Sequence, residues 1–199
     1  MIAISLTSRE VAELASVPKR SVEKAIEEKV LVVHKTAHAT AFGKAERRYL
    51  GMESIAYIRL MRRLSREVSL TIPAKRRLAR SLKTYDLDRL KVARVQLAPS
   101  LTADVGEAAG EALERAERYV RAREDWIDSV PGIKGGLPVI RGTRLTAHSL
   151  ACRLDHGDSF EDLVAENPDL PPEAIEAAVV FAKTHPLPGR PARREHSAA

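Results

Sequence analysis

Pro131, Gly132, Gly135, Gly136 and Pro138 fall within eight residues of one another. No regular helix runs through such a stretch. Proline lacks the N–H that a helix interior needs, and glycine loses more backbone freedom on folding than any other residue. The chain of 199 residues is thereby cut into two parts that each pattern as helix. Apolar residues make up 44% of it, enough for each part to bury a core. A second stop, Pro186, Pro188 and Pro191, ends the helical pattern. The expected fold is mainly α, in four segments. Residues 1–70 form a winged helix-turn-helix, and 71–130 form a linker or dimerisation region with a strand and a long helix. Residues 131–186 form a small hairpin followed by three helices with a helix-turn-helix-like shape, and 187–199 form a flexible basic tail.

The local signals within the first part are specific. Thr7 caps a helix with Glu10 as its capping-box partner, and Val11, Leu14 and Ala15 follow at helical spacing. Ser16, standing where glycine is commonest in such turns, interrupts the run with Val17. Pro18 opens a second helix with Val22, Ala25 and Ile26 inward and Lys19, Arg20, Glu23, Lys24 and Glu27 outward. The β-branched run at 30–33 predicts a strand, 34–46 a loop and 47–50 a second strand, together a wing. A third helix is expected over about 52–67, and another from Pro73 carrying Lys75, Arg76, Arg77 and Arg80. Residues 87–98 read as a strand. Residues 104–128 read as a long helix, despite Gly106 and Gly110, that links the halves or joins two subunits.

Beyond the break, residues 139–145 read as a tiny hairpin turning at Arg141-Gly142. Helices are expected over 146–155, 159–166 and 172–184. Gly157 ends the first, Ser159 caps the second with Asp162 in its first turn, and Pro171-Pro172 opens the third. Cys152, inside the run Leu150-Ala151-Cys152-Arg153-Leu154, reads as a small buried residue.

Charge separates the two parts as sharply as the prolines do. Residues 1–98 hold 21 Lys and Arg against 10 acids, and residues 99–199 hold 12 against 17. A basic half suits a polyanion. Within it Lys19, Arg20 and Lys24 would face a DNA groove, and Lys44, Arg47 and Arg48 around the wing would meet phosphates. Arg59, Arg62, Arg63 and Arg66 stack along one side of the third helix, either as a solvated face or as a phosphate or partner contact. From Asp155 to Glu176 there are eight acids and no Lys or Arg. That stretch repels phosphate. It reads either as a solvated surface, with acids favoured in first helical turns, or as a module that meets a basic partner.

Other chemistry is not legible. The six histidines are scattered, and His34 and His38 have ligand spacing only on a helix, where none is expected. No three convergent zinc ligands, phosphate loop or nucleophile set can be assembled, so neither an enzyme nor a metal or other cofactor is expected. Aromatics, at 4%, are too few for a base-stacking platform. No stretch approaches the roughly 18 apolar residues of a membrane span. The opening MIAISLTSRE lacks the charge and apolar run of a secretion signal, and the single cysteine fits a reducing, cytoplasmic home.

The segment Gly135-Gly136-Leu137-Pro138-Val139-Ile140-Arg141-Gly142-Thr143-Arg144-Leu145 resembles the opening signature of the domain family of unknown function numbered 433. The likeness continues through Gly157-Asp158-Ser159-Phe160-Glu161-Asp162-Leu163, Asn167-Pro168-Asp169-Leu170 and Pro172-Glu173-Ala174-Ile175-Glu176-Ala177-Ala178, covering about 130–186. The first seventy residues resemble a MerR-type winged helix in pattern. Together they resemble VapB-type antitoxins with an added N-terminal DNA-binding domain. The resemblance implies a cytoplasmic, non-enzymatic antitoxin that neutralises a PIN-like ribonuclease and represses its own operon. It also implies a homodimer on double-stranded operator DNA. The toxin would meet Asp158, Glu161, Asp162 and Glu173, with Arg190, Arg193 and Arg194 of the tail either reaching its carboxylate centre or remaining solvated. A MerR-like regulator with a C-terminal ligand- or protein-sensing domain is the alternative.

Overall fold

A computed structural model describes residues 5–40, 43–129 and 134–187. It is mainly helical, with three separate two-stranded antiparallel ribbons. Helix α1 (Ser8–Leu14) starts at the expected capping box: the Thr7 hydroxyl accepts from the Glu10 N–H, and the Glu10 carboxylate accepts from the Thr7 N–H. The chain leaves α1 through Ser16, whose φ of 51° is left-handed, and enters α2 (Lys19–Glu27) after Pro18. A side chain at such a φ meets steric resistance. Serine takes the place that glycine fills most easily.

The expected strand at 30–33 is not a strand. Lys29 turns left-handed at φ 54°, and the N–H groups of Val30 and Leu31 both donate to the Ala25 carbonyl. Both side chains are buried. Successive residues of a strand point to opposite faces, so two adjacent inward residues mark a helix closure instead. The ribbon starts four residues later, at what was expected to be loop. Strand β1 (His34–Thr40) pairs with β2 (Gly43–Tyr49) from His34↔Tyr49 to Thr40↔Gly43. A Leu6↔Leu50 bridge ties the segment before α1 to the residue after β2.

Helices α3 (Glu53–Leu64) and α4 (Ile72–Leu82) follow, the second capped by Thr71 with Pro73 in its first turn. Residues 87–98 are not one strand. Asp86 caps the short α5 (Leu87–Leu90), then β3 (Arg94–Ala98) pairs with an unforeseen β4 (Leu101–Asp104). Asp104 caps the long α6 (Val105–Trp126). Gly106 is required near its start, because a Cβ there would lie 2.4 Å from the Lys91 carbonyl oxygen. The apolar side of α6 packs on α3 and, later in the chain, α9, while Glu111, Glu114, Arg118, Arg121 and Glu124 face outward. Its apolar side thus joins the two halves of the chain.

Strand β5 (Ile127–Asp128) continues from α6 and pairs with β6 (Val139–Ile140). The hairpin expected over 139–145, turning at Arg141-Gly142, would instead pair β6 with the segment just after that turn. That segment contributes only a tight turn, with the Ile140 N–H on the Leu145 carbonyl, a Val139↔Thr146 bridge and Gly142 at φ 78°. Helices α7 (Ala147–Asp155), α8 (Phe160–Glu166) and α9 (Pro172–Thr184) then form, with Gly157 at φ 106° between the first two. Cys152 is exposed on α7, not buried: Leu150 and Ala151 take the inward positions. Helix α9 faces two ways. Ala174, Ile175, Ala178 and Ala182 close a core with Ile140, Leu150 and Leu163, whereas Ala177 and Val180 join the large core built by α1, α3 and α6.

Candidate functional site

The exposed side of α2 carries Lys19, Arg20 and Lys24. Lys19 pairs with Glu23 at 2.6 Å and Lys24 with Glu28 at 3.9 Å, both along the helix surface. Exposed pairs of this kind add little stability and release their cations readily to a stronger anion. Arg48 is exposed on β2 opposite Lys35, and Lys44 and Arg47 occupy β2 positions opposite Ala39 and Thr36.

The four arginines expected on one helix do not act together: α3 ends at Leu64, so it carries Arg59, Arg62 and Arg63, and Arg66 falls in the turn after it. Arg59 is half-buried and donates to the Ala15 carbonyl at 3.4 Å and the Ala108 carbonyl at 3.3 Å. Arg62 donates to the Ser16 carbonyl, and Arg63 pairs with Glu107 of α6. Carbonyls at a helix C-terminus have no partner within the helix. Arg59 and Arg62 supply one, and so fix the turn that aims α2. Arg66 is exposed beyond them. The basic residues of α4 are used in the same way: Arg76 donates to the Glu28 carbonyl at 2.7 Å, and Lys75 pairs with the Glu28 carboxylate at 3.3 Å.

A fully buried carboxylate holds α1 to α6. Glu10 accepts from the Tyr119 hydroxyl and from Arg123, both at 2.7 Å. Burial pushes the Glu10 carboxyl upward, but Arg123, the Thr7 N–H and Tyr119 outweigh it and hold the group below the ordinary carboxylate value. Arg123 also donates to the Ser5 carbonyl at 3.3 Å. Nothing in the sequence separates Glu10 from an ordinary capping residue, because its partners lie more than a hundred positions away.

In the acidic stretch the eight carboxylates divide. Arg153, two residues upstream of it, pairs with Asp158 and with Glu166, each at 2.5 Å. Hydrogen bonds from Arg153 lower the Glu166 carboxyl, and Ser159, the cap of α8, lowers that of its capping-box partner Asp162. Asp155, Glu161, Asp169, Glu173 and Glu176 are exposed without an ion pair among the described residues. Arg190, Arg193 and Arg194 lie outside the described residues. Among the described residues no three His, Cys, Asp or Glu side chains converge as a metal site, and no helix is long and apolar enough to cross a membrane.

Residues 127–182 form a domain of the family described as protein of unknown function (DUF433). The match begins at the first residue of β5 and ends within α9. The chain is also similar to the uncharacterized protein y4eO of Sinorhizobium fredii (strain NBRC 101917 / NGR234), 38% identical over 90 residues. That likeness covers 45% of this chain and 40% of the relative. No solved structure matches the chain.

Proposed function

We propose that this protein is an antitoxin that holds operator DNA with its N-terminal part and a PIN-like ribonuclease with its C-terminal domain. In this reading α1 and α2 form a helix-turn-helix with the β1–β2 ribbon as its wing. Lys19, Arg20 and Lys24 enter the groove, and the ribbon's Lys44, Arg47 and Arg48 take phosphates. The observation that carries the reading is charge placement: exposed cations on α2 at one end of the chain, five exposed unpaired acids on the C-terminal domain at the other. A nuclease that binds RNA presents a basic surface, which Glu161 and Glu173 complement. The tail arginines Arg190, Arg193 and Arg194 reach its carboxylate centre, where a guanidinium forks onto paired oxygens. Two copies of the chain on a two-fold operator complete the proposal.

The deciding experiment is co-expression with the product of the adjacent gene. Co-purification with suppressed RNA cleavage is expected, and a neighbour that neither binds nor cleaves RNA would remove the antitoxin reading. On the DNA side, the double change Lys19→Ala, Arg20→Ala should weaken binding to the upstream DNA by about 1–3 kcal/mol and flatten the salt dependence by about one unit per lost phosphate contact. Unchanged gel-shift affinity would reject α2 as the reading helix. Truncation after His185 separates binding from inhibition: the shortened protein should still capture the toxin while RNA cleavage returns.

A further inference from the structure

A cleft of about 380 Å³ opens between α2, α3 and the start of α4. Val17, Ile58 and Met61 give it apolar walls, and Lys24, Arg62 and Lys75 stand around it. Its one carboxylate, Glu28, is shared by Lys24 and Lys75. The Arg62 guanidinium is bonded to a neutral acceptor, the Ser16 carbonyl. Positive charge is therefore in excess over the opening.

Tyr57 makes the cleft more than a surface dent. The residue is 3% exposed and lines the cleft, and its hydroxyl, which keeps contact with solvent there, makes no hydrogen bond within the described residues. A hydroxyl left to solvent in this way is free to donate to a ligand. Burial and the nearby Glu28 carboxylate push the phenol well above its ordinary value, so it stays protonated and can donate. An unclaimed donor, excess positive charge and apolar walls are the attributes of a small-molecule site: mostly apolar contact with a few placed polar groups.

We propose that this cleft binds a small aromatic carboxylate. The ring lies against Val17, Ile58 and Met61. The carboxylate accepts from the Tyr57 hydroxyl and is held by the ammonium of Lys75. The proposal is independent of the DNA and toxin readings and is tested without either partner.

The test is titration of the full chain with 1-naphthoate, a fluorescent aromatic carboxylate, with 1-naphthalenemethanol as its neutral counterpart. Saturable one-to-one binding is expected, with the alcohol at least about tenfold weaker, because a hydrogen bond to a charged group contributes roughly that much. Tyr57→Phe should weaken naphthoate by about tenfold, and Lys75→Gln by several-fold. Met61→Trp, which fills the cleft, should abolish binding while the far-ultraviolet dichroism stays native. Lys75→Gln gives up one ion pair and no core packing, and keeps the test open if either core variant fails to fold. Three results would each overturn the proposal: no saturable binding by the native chain, equal affinity for acid and alcohol, or native affinity in the folded variants.

Discussion

Helices α1 and α8 begin with the same device and end up with different tasks. Thr7 and Glu10 at α1, and Ser159 and Asp162 at α8, each form a reciprocal box in which side chain and backbone satisfy each other. Asp162 stays at the surface and its carboxylate serves Ser159 alone, through the N–H at 3.1 Å and the hydroxyl at 2.6 Å. Glu10 is covered by α6, and its second oxygen receives Tyr119 and Arg123. A capping signature therefore states where a helix starts. What lies over it decides whether the cap also holds distant elements together.

The strongest way to break that contrast is Arg123→Ala. Removing one member of a buried pair leaves an uncompensated charge and costs about 3–5 kcal/mol. Arg123 is 19% exposed, so the lower end is expected, read as a shift of the urea midpoint at unchanged slope. A loss under about 1 kcal/mol would mean that Glu10 is no better enclosed than Asp162.

Acid sharpens the same difference. The folded-state value of Glu10 lies below its ordinary 4.5, so its stabilisation is complete above pH 4.5 and disappears as pH falls through the lowered folded value. Unfolding free energy measured between pH 6 and pH 3 should decline below about 4.5. Glu10→Gln should start lower and decline less steeply, and parallel curves for the two proteins would remove Glu10 from the account.

Ser159→Ala tests the exposed box by itself, with an expected cost of about 1 kcal/mol in thermal or urea unfolding. A cost as large as that of Arg123→Ala would erase the distinction between local and long-range caps. The smallest effect belongs to Arg153→Ala, which removes two partly exposed ion pairs. A loss smaller than that of Ser159→Ala is expected, shrinking further in high salt. A salt-independent loss would point to packing by the arginine stem instead of charge.

Helix starts were legible because their chemistry is local: Thr7, Ser159 and Pro172 announce themselves within four residues. The hairpin beyond α2 was misplaced because the apolar residues at 30–33 look alike in a strand and in a buried helix closure. Only the bonds to Ala25 tell them apart. Strand β4 escaped because four residues leading into a helix carry too short a period. The DUF433 signature was legible because its glycines hold positions that a turn requires, Gly135, Gly136 and Gly142 all at positive φ. The arginines of α3 show where sequence runs out. Spacing placed them on one side of a helix, but only the fold puts Arg59 and Arg62 on the last carbonyls of α1 and its turn. Arg153 was missed as a partner because the acids it serves lie five and thirteen positions downstream.

Helix α9 belongs to two cores at once, with Ile175 in one and Val180 in the other. A unit built this way is a poor cassette. Grafted onto an unrelated N-terminal segment by gene fusion, it would carry an apolar strip with nothing to lie against. The donor segment would in turn lack the surface that α1 and α6 provide. Successful exchange between relatives would have to move the strip on α9 together with the residues it meets, such as Leu14 and Tyr119. The natural point for recombination is then upstream of α1, and not the glycine-rich break at which the sequence looks most divisible.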